Sequence, residues 1–275
     1  MNSNNLIPDD FDCDAYIQTH QINSLLGDNS FNDYRQKTES QRNYSTSIDP
    51  CPAQYDDLAR LHYLVRSRKV LTVLEFGIGK STIVMADALA KNKEIYSNYT
   101  DSNLRRSDPY KIHSIDNIEQ YIQIVENELP PNLKAMNICE FYYSECHIGD
   151  FQGRICSYYA NMPNVCPDMI YLDGPNQFNT TGEIRGIHTR HQDRMPMAAD
   201  ILSIEHFLQP SCLIVVDGRS ANARFLKSNL QRSWSYCYVK EFDQHFFELQ
   251  EPPLGIFNKR MIDFCLGDIY YSRIA

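Results

Sequence analysis

The fold of this chain is decided by one segment, LTVLEFGIGKST at residues 71–82. Its first half is a short apolar run that predicts a β-strand, and Gly77 and Gly79 follow it directly. Apolar residues then recur with helical periodicity over 83–89, which predicts a helix beginning near Ser81. Such a strand–turn–helix unit brings free backbone N–H groups and a helix N-terminus to the carboxyl edge of a parallel sheet. Open α/β folds bind their ligands there.

Two nucleotide-binding motifs fit this turn incompletely. A P-loop needs a glycine five residues before Gly79, where this chain has Leu74. A dinucleotide fingerprint needs a third glycine three residues after Gly79, where this chain has Thr82. The order strand, Glu, x, Gly, x, Gly, helix resembles instead the first motif of class I S-adenosylmethionine-dependent methyltransferases. An ordinary tight turn in another α/β protein is the alternative. The resemblance implies that the cofactor is bound by Glu75, Gly77, Gly79, Lys80, Ser81 and Thr82.

Composition narrows the classes of function. The 275 residues are 43% hydrophobic and carry a net charge of −9, with the basic residues scattered along the chain. A nucleic-acid backbone needs a basic face, so no nucleic-acid partner is expected. No apolar run reaches the 18 residues of a membrane span, and residues 1–10 lack the features of a secretory signal. The nine cysteines include no Cys-x-x-Cys pair, which favours free thiols and a cytoplasmic protein.

The pattern of the chain predicts two parts. Residues 1–54 are polar and form an N-terminal extension or lid, and residues 55–275 form the cofactor-binding domain. Strands and helices alternate in the second part, which predicts an α/β fold with a doubly wound, mostly parallel seven-stranded sheet. The predicted strands are Val70–Phe76, Lys111–Asp116, Glu140–Ile148, Asp168–Asp173, Cys212–Asp217, Ser235–Phe242 and His245–Leu249. The predicted helices are Tyr55–Arg68, Thr82–Ala90, Ile118–Asn127, Gly153–Tyr159, Asp193–Leu208 and Ala221–Leu230.

Acidic residues follow the successive strands and strengthen the resemblance. It implies that Asp116, after the second strand, accepts the ribose hydroxyls, and that Asp150 and Phe151, after the third, contact the adenine. It also implies that Asp173 lies beside the reactive methyl group. Each acid has a simpler interpretation as well, because Asp116 can cap the following helix and Asp150 can belong to a turn. Asp217, after the fifth strand, can simply anchor the turn at Gly218.

The long segment 174–196 is rich in titratable groups and is expected to face the acceptor. His188 and His191 are candidate general bases, because imidazole titrates near neutral pH, and Asp173 is the third candidate. Solvent-exposed loop histidines are the alternative for either one. Three arginines of the segment either bind an anionic acceptor or form a solvated basic turn: Arg185, Arg190 and Arg194.

A divalent metal is not expected. The resemblance places Asp173 and Asp217 at the positions of two magnesium ligands of cation-dependent O-methyltransferases. The third magnesium ligand of those enzymes is an asparagine, and this chain has Gly218 at that position. The Asn/Asp-Pro-Pro-Tyr/Phe tetrapeptide of amino-methylating relatives is also absent, which favours oxygen over nitrogen as the methylated atom. Residues 173–176 read Asp-Gly-Pro-Asn in its place.

The sequence therefore predicts a methyltransferase that uses S-adenosylmethionine. Its expected acceptor is a sugar, a glycan precursor or another small anionic or hydroxylated molecule, and a homodimer is a possible assembly. The resemblance to enzymes that modify surface polysaccharides suggests that role. Two other functions stay open: a non-catalytic regulatory protein that binds the cofactor, and a nucleotide-dependent oxidoreductase or phosphotransferase.

Overall fold

The computed structural model describes residues 6–27 and 53–274. Seven strands form one sheet, in the spatial order β3-β2-β1-β6-β8-β10-β9. Three further strands, in the order β5-β4-β7, form a small second sheet. The strands are β1 (Thr72–Phe76), β2 (Lys111–Asp116), β3 (Cys139–Tyr143), β4 (Cys146–Phe151), β5 (Arg154–Tyr159), β6 (Met169–Leu172), β7 (Thr180–Thr181), β8 (Leu213–Asp217), β9 (Trp234–Val239) and β10 (Gln244–Leu249).

Helices cover both faces of the large sheet. They are α1 (Cys13–His20), α2 (Ile22–Leu26), α3 (Tyr55–Ser67), α4 (Lys80–Asn103), α5 (Glu119–Glu128), α6 (Pro131–Ala135), α7 (Asp200–Ile204), α8 (Ser220–Asn229), α9 (Gly255–Cys265) and α10 (Asp268–Ile274). One apolar core joins the sheet to α1 through α6, and a second lies on the opposite face with α7 and α8. No helix of the described residues is long and apolar enough to cross a membrane.

The predicted doubly wound, mostly parallel seven-stranded sheet is confirmed. Strands β3, β2, β1, β6 and β8 are parallel neighbours, and every residue of β1 and β6 is buried, as strands covered on both faces require. Strand β10 is antiparallel to both β8 and β9 and lies between them. It places Gln244 directly opposite Asp217.

The region after β3 differs from the sequence prediction. The single strand predicted over Glu140–Ile148 is wrong, because pairing with β2 ends at Tyr143 and a new strand begins at Cys146. The helix predicted over Gly153–Tyr159 is also wrong, since β5 pairs there with β4 as a hairpin. Gln152 and Gly153 adopt positive φ in its two-residue turn, and the Asp150 carboxylate accepts the Gly153 N–H.

Other helix boundaries differ in length. The helix predicted over Asp193–Leu208 begins only at Asp200, because Ala198 forms an isolated bridge with Ser157 in an extended conformation. Helix α4 runs on to Asn103, well beyond its predicted end, and its Tyr96 and Tyr99 rings contact Phe264 of α9. Helices α9 and α10 were not predicted.

The N-terminal helices pack onto the main core. Leu6, Ile7, Ile17 and Ile22 are buried in the same cluster as α3 and α4. The Tyr16 hydroxyl contacts Nδ1 of His62 at 2.8 Å, and Nε2 of His62 contacts the Asp87 carboxylate at 3.0 Å. The rest of the predicted extension, residues 1–5 and 28–52, lies outside the described residues. The division into an extension and a domain stays a prediction.

Candidate functional site

A cavity of about 340 Å³ opens at the carboxyl ends of β1, β2, β6 and β8. Its position is the strand edge that the sequence predicted, and its volume lies within the range of small-molecule sites. Five groups of residues line it: the start of α3, the β1–α4 turn, Asp116, one face of α5, and the ends of β6 and β8. They are Ala53, Gln54, Asp57, Leu58, Gly77, Ile78, Gly79, Lys80, Ser81, Asp116, Tyr121, Ile124, Val125, Glu128, Tyr171, Asp173, Gly174, Asn176 and Asp217.

The two glycines of the β1–α4 turn have different structural roles. A Cβ on Gly77 would lie 2.6 Å from the backbone nitrogen of Gly174, and Gly77 also has a φ of +98°. A Cβ on Gly79 would meet only the Ser81 hydroxyl oxygen, at 3.9 Å. Gly77 is therefore required by the contact between two turns, whereas Gly79 leaves space free in the cavity wall.

Glu75 lies beneath this turn and does not line the cavity. Its side chain is fully buried and accepts hydrogen bonds from the hydroxyls of Ser81 (2.5 Å), Thr82 (2.6 Å) and Ser114 (2.6 Å). Burial raises the pKa of Glu75 to about 7, although the three hydroxyl donors lower it. Glu75 thus ties the start of α4 to β2, and Thr82 shares this structural role.

Asp116 lines the cavity at the end of β2. One carboxylate oxygen accepts the Ile78 N–H and the other accepts the Ile118 N–H, both at 2.8 Å. Asp116 therefore both shapes the β1–α4 turn and caps the residue before α5. Burial raises the pKa of Asp116 to about 6 despite these two backbone donors. A carboxylate oxygen has two acceptor lone pairs, so each oxygen can accept one more hydrogen bond.

A group of acidic residues forms the opposite end of the cavity. Asp173 is exposed to the cavity, yet the surrounding protein desolvates its carboxylate and raises its pKa to about 6. Asp217 accepts a hydrogen bond from the Tyr171 hydroxyl at 3.0 Å. Burial, followed by the nearby charges of Asp57 and Asp173, raises the pKa of Asp217 well above its usual range. Arg60 forms an ion pair with Asp57.

The structure does not bring all of the predicted residues into the cavity. Asp150 and Phe151 lie on β4 of the second sheet, where the Phe151 ring contacts Phe225 at a centroid distance of 6.4 Å. Neither residue lines the cavity, because the third strand of the large sheet ends earlier, at Tyr143. Among the predicted cofactor-binding residues, the cavity wall includes Gly77, Gly79, Lys80, Ser81 and Asp116.

The predicted loop histidines also lie outside the cavity wall. The Nδ1 atom of His188 is buried and has no hydrogen-bond partner among the described residues. His191 is exposed, and its Nδ1 accepts the Asp193 N–H at 3.2 Å. Two of the loop arginines form hydrogen bonds within the protein: Arg190 donates to the Thr180 carbonyl, and Arg194 donates to the His188 carbonyl. The catalytic roles of His188 and His191 stay predictions.

Two cavity residues were missed by sequence reasoning. Asp57 belongs to the first turn of α3, for which the sequence predicted a helix without any functional residue. Tyr171 reads as one residue of a buried apolar strand, although its hydroxyl reaches Asp217. One face of α5 completes the cavity wall. The sequence predicted this helix from its apolar periodicity, but nothing in it indicated that these residues line a site. Within the part of the chain that the structure describes, no three His, Cys, Asp or Glu side chains are grouped to hold a metal ion.

Comparison with known proteins gives matches among solved structures. No protein-family description and no curated protein matches the sequence. An SAH-bound methyltransferase of Podospora anserina has a TM-score of 0.46 and 11% identity, over 86% of this chain and 96% of that one. An O-methyltransferase from Bacillus cereus in complex with SAH has a TM-score of 0.39 and 12% identity, over 86% of this chain and 98% of that one.

Proposed function

We propose that this protein is an S-adenosylmethionine-dependent methyltransferase that methylates an oxygen atom of a small hydroxylated acceptor, such as a sugar or a glycan precursor. The observation that carries the proposal is the joint lining of one cavity by the β1–α4 turn and Asp116. Gly79 adds to it, because a side chain at that position would occupy free space in the cavity wall.

The residues around the cavity fit this cofactor. The turn 77–81 offers a backbone without side chains at two positions and the N-terminus of α4, which favours a carboxylate. Asp116 retains acceptor capacity on both oxygens, which suits the two hydroxyls of a ribose. When bound, S-adenosylmethionine would supply an electrophilic methyl group on a sulfonium that is a good leaving group.

The remaining work of the protein is to orient the acceptor and to remove its proton. Asp173 is the candidate base that faces the cavity, and its raised pKa of about 6 makes it a stronger base than an ordinary aspartate. Asp217 and Tyr171 lie in the same wall and could orient a hydroxyl by hydrogen bonding. His188 and His191 would need a change of the loop to take part.

The charge of the cavity favours a hydroxylated acceptor over an anionic one. Its wall includes the carboxylates of Asp57, Asp116, Asp173, Asp217 and Glu128. Lys80 is the basic residue of the wall, and it forms an ion pair with Glu128. An anionic group would be repelled there, whereas sugar hydroxyls can donate to carboxylates. We also infer a cytoplasmic location, which the eight free thiols of the described residues support.

Thermal unfolding with added ligands tests the cofactor. S-adenosylhomocysteine at about 100 times its dissociation constant should stabilise the protein by roughly 2.7 kcal/mol, or several degrees of melting temperature. Mg²⁺–ATP and NAD serve as controls and should give no shift. A shift with either control but none with S-adenosylhomocysteine would refute the proposal in favour of a nucleotide-dependent enzyme.

Transfer of a radiolabelled methyl group tests turnover and the acceptor. The protein is incubated with labelled S-adenosylmethionine and separate pools of neutral sugars, nucleotide sugars, anionic sugars and amines. Label should enter an alkali-stable product in a hydroxylated pool. Binding of the cofactor without transfer to any pool would favour the non-catalytic regulatory alternative.

A further inference from the structure

Arg219 is a buried arginine that lies between β8 and α8, behind the cavity. Its side chain is 6% exposed, and the positive φ of Gly218 turns the chain there. One guanidinium nitrogen donates to the Pro175 carbonyl oxygen at 3.0 Å. Pro175 follows Asp173 and Gly174, so this bond joins the end of β8 to the chain segment that carries Asp173.

The guanidinium has few partners for a buried cation. Among residues 6–27 and 53–274, its Nε is buried and has no hydrogen-bond partner, and the Pro175 carbonyl is the acceptor of its Nη2 group. A guanidinium stays charged in proteins, so its field acts on the carboxylates around it without a direct ion pair. The carboxylates on which it acts belong to Asp173 and Asp116.

We propose that Arg219 is a positioning residue of the cavity: it fixes the segment after β6 through the Pro175 carbonyl and supplies the positive charge behind the Asp173 carboxylate. Arg219 does not line the cavity, so it acts through these residues and not by contact with a ligand. The inference about ligand binding rests on the proposed function, whereas the hydrogen bond to Pro175 and the electrostatic effect on Asp173 do not.

The surroundings of Asp173 explain why this charge matters. Desolvation raises its pKa, as do the carboxylates of Asp116 on β2 and Asp57 on α3, and Arg219 opposes them. Without Arg219, Asp173 would be protonated over a larger part of the neutral range. A neutral Asp173 could neither attract a cationic cofactor nor accept a proton. Two further carboxylates interact with Asp173, because its charge raises the pKa of Glu75 on β1 and of Asp217 on β8.

Titration of Asp173 by carboxyl ¹³C NMR tests the electrostatic part without any ligand. The signal is assigned with Asp173→Asn and followed in the wild type, Arg219→Gln, Arg219→Lys and Arg224→Gln. Arg224 is an exposed arginine of α8 and provides the matched control. We expect the midpoint to rise by about one pH unit in Arg219→Gln and to stay near the wild-type value in the other two arginine variants. An unchanged midpoint in Arg219→Gln would overturn the inference.

Calorimetric binding of S-adenosylmethionine, whose sulfonium carries the positive charge that Asp173 would attract, at two pH values tests the consequence for the site. Arg219→Gln should bind about threefold more weakly than Arg219→Lys at pH 6.5, and the difference should disappear at pH 8.5, as a shift of one unit implies. A loss that is equal at both pH values would indicate a merely structural role and refute the inference. If the wild type fails to bind, the proposed function fails, and the NMR titration still decides the role of Arg219.

Discussion

Gly77 and Gly174 pack backbone against backbone, so that neither position leaves room for a side chain. A Cβ on Gly77 would lie 2.6 Å from the Gly174 nitrogen, and a Cβ on Gly174 would lie 2.5 Å from the Gly77 nitrogen. The Gly174 N–H also donates to the Phe76 carbonyl at 2.5 Å. The turn after β1 and the turn after β6 are therefore one rigid unit at the floor of the cavity. A substitution of Gly77 disturbs this unit before any cofactor is bound.

The two glycines of the β1–α4 turn should respond differently to alanine. Gly79→Ala should keep the wild-type stability, because its Cβ has space, but should weaken S-adenosylhomocysteine binding at least about tenfold, or 1.4 kcal/mol. Gly77→Ala should lower the free energy of unfolding by about 2–4 kcal/mol through strain and overlap. Urea denaturation and calorimetry measure the two effects. Wild-type affinity in Gly79→Ala would show that the cofactor does not approach this turn.

Protonation of Glu75 should make stability depend on pH. A carboxyl whose pKa is raised to about 7 on folding binds its proton more tightly in the folded state, so its contribution is complete below about pH 4.5. That contribution should fall by up to about 3 kcal/mol as the pH rises to 7. Glu75→Gln should remove this dependence and be more stable than the wild type at pH 8. Parallel stability curves for both proteins between pH 5 and 8 would contradict the prediction.

Substitutions of Asp173 and of the loop histidines should have different effects on turnover in a methyl-transfer assay. Asp173→Asn should lower turnover about 10²-fold or more if Asp173 removes the acceptor proton. His188→Ala and His191→Ala should leave S-adenosylhomocysteine binding intact, because neither residue lines the cavity. Turnover of the two histidine variants is the informative measurement. A large loss in one of them, with Asp173→Asn fully active, would identify that histidine as the base.

The contact between α1 and α3 should contribute to stability. Tyr16→Phe removes the hydroxyl that contacts His62 and should cost about 1 kcal/mol of unfolding free energy. Burial lowers the pKa of His62, so a folded state with neutral His62 should lose stability as the pH falls below 6.5. His62→Gln should weaken this loss. Equal acid sensitivity of His62→Gln and the wild type, measured at pH 5.5 and 7.5, would disprove the role of His62.

Local signals were sufficient for the central part of the site. The apolar run, the two glycines and the following helical period predicted the β1–α4 turn, and Asp116 and Asp173 follow from acids placed directly after predicted strands. These are features of single segments. The prediction of one strand over Glu140–Ile148 failed because apolar residues stand on both sides of Ser144 and Glu145, although the pairing with β2 ends at Tyr143. No local pattern marks the point at which a strand changes partner.

Asp57 and Tyr171 could not be predicted for a different reason. Both are ordinary members of their elements, one in a helical first turn and one in a buried strand. Their function depends on the packing of α3 beside the ends of β6 and β8, which joins residues more than 100 positions apart. Glu75 shows the converse, because its sequence position suggested ligand contact while three neighbouring hydroxyls occupy its carboxylate.

Helix α3 connects the N-terminal helix α1 to the wall of the cavity. Asp57 in the cavity wall and His62 beneath α1 are five residues apart, which is about 7.5 Å along a helix axis. A helix transmits displacement along its axis with little bending, so loosening of α1 would reach Asp57 without any change in the sheet. Crystals or assays of a chain that lacks residues 6–27 would therefore report on an altered cavity. The packing of α1 on α3 is thus expected to help hold the acidic end of the cavity in place.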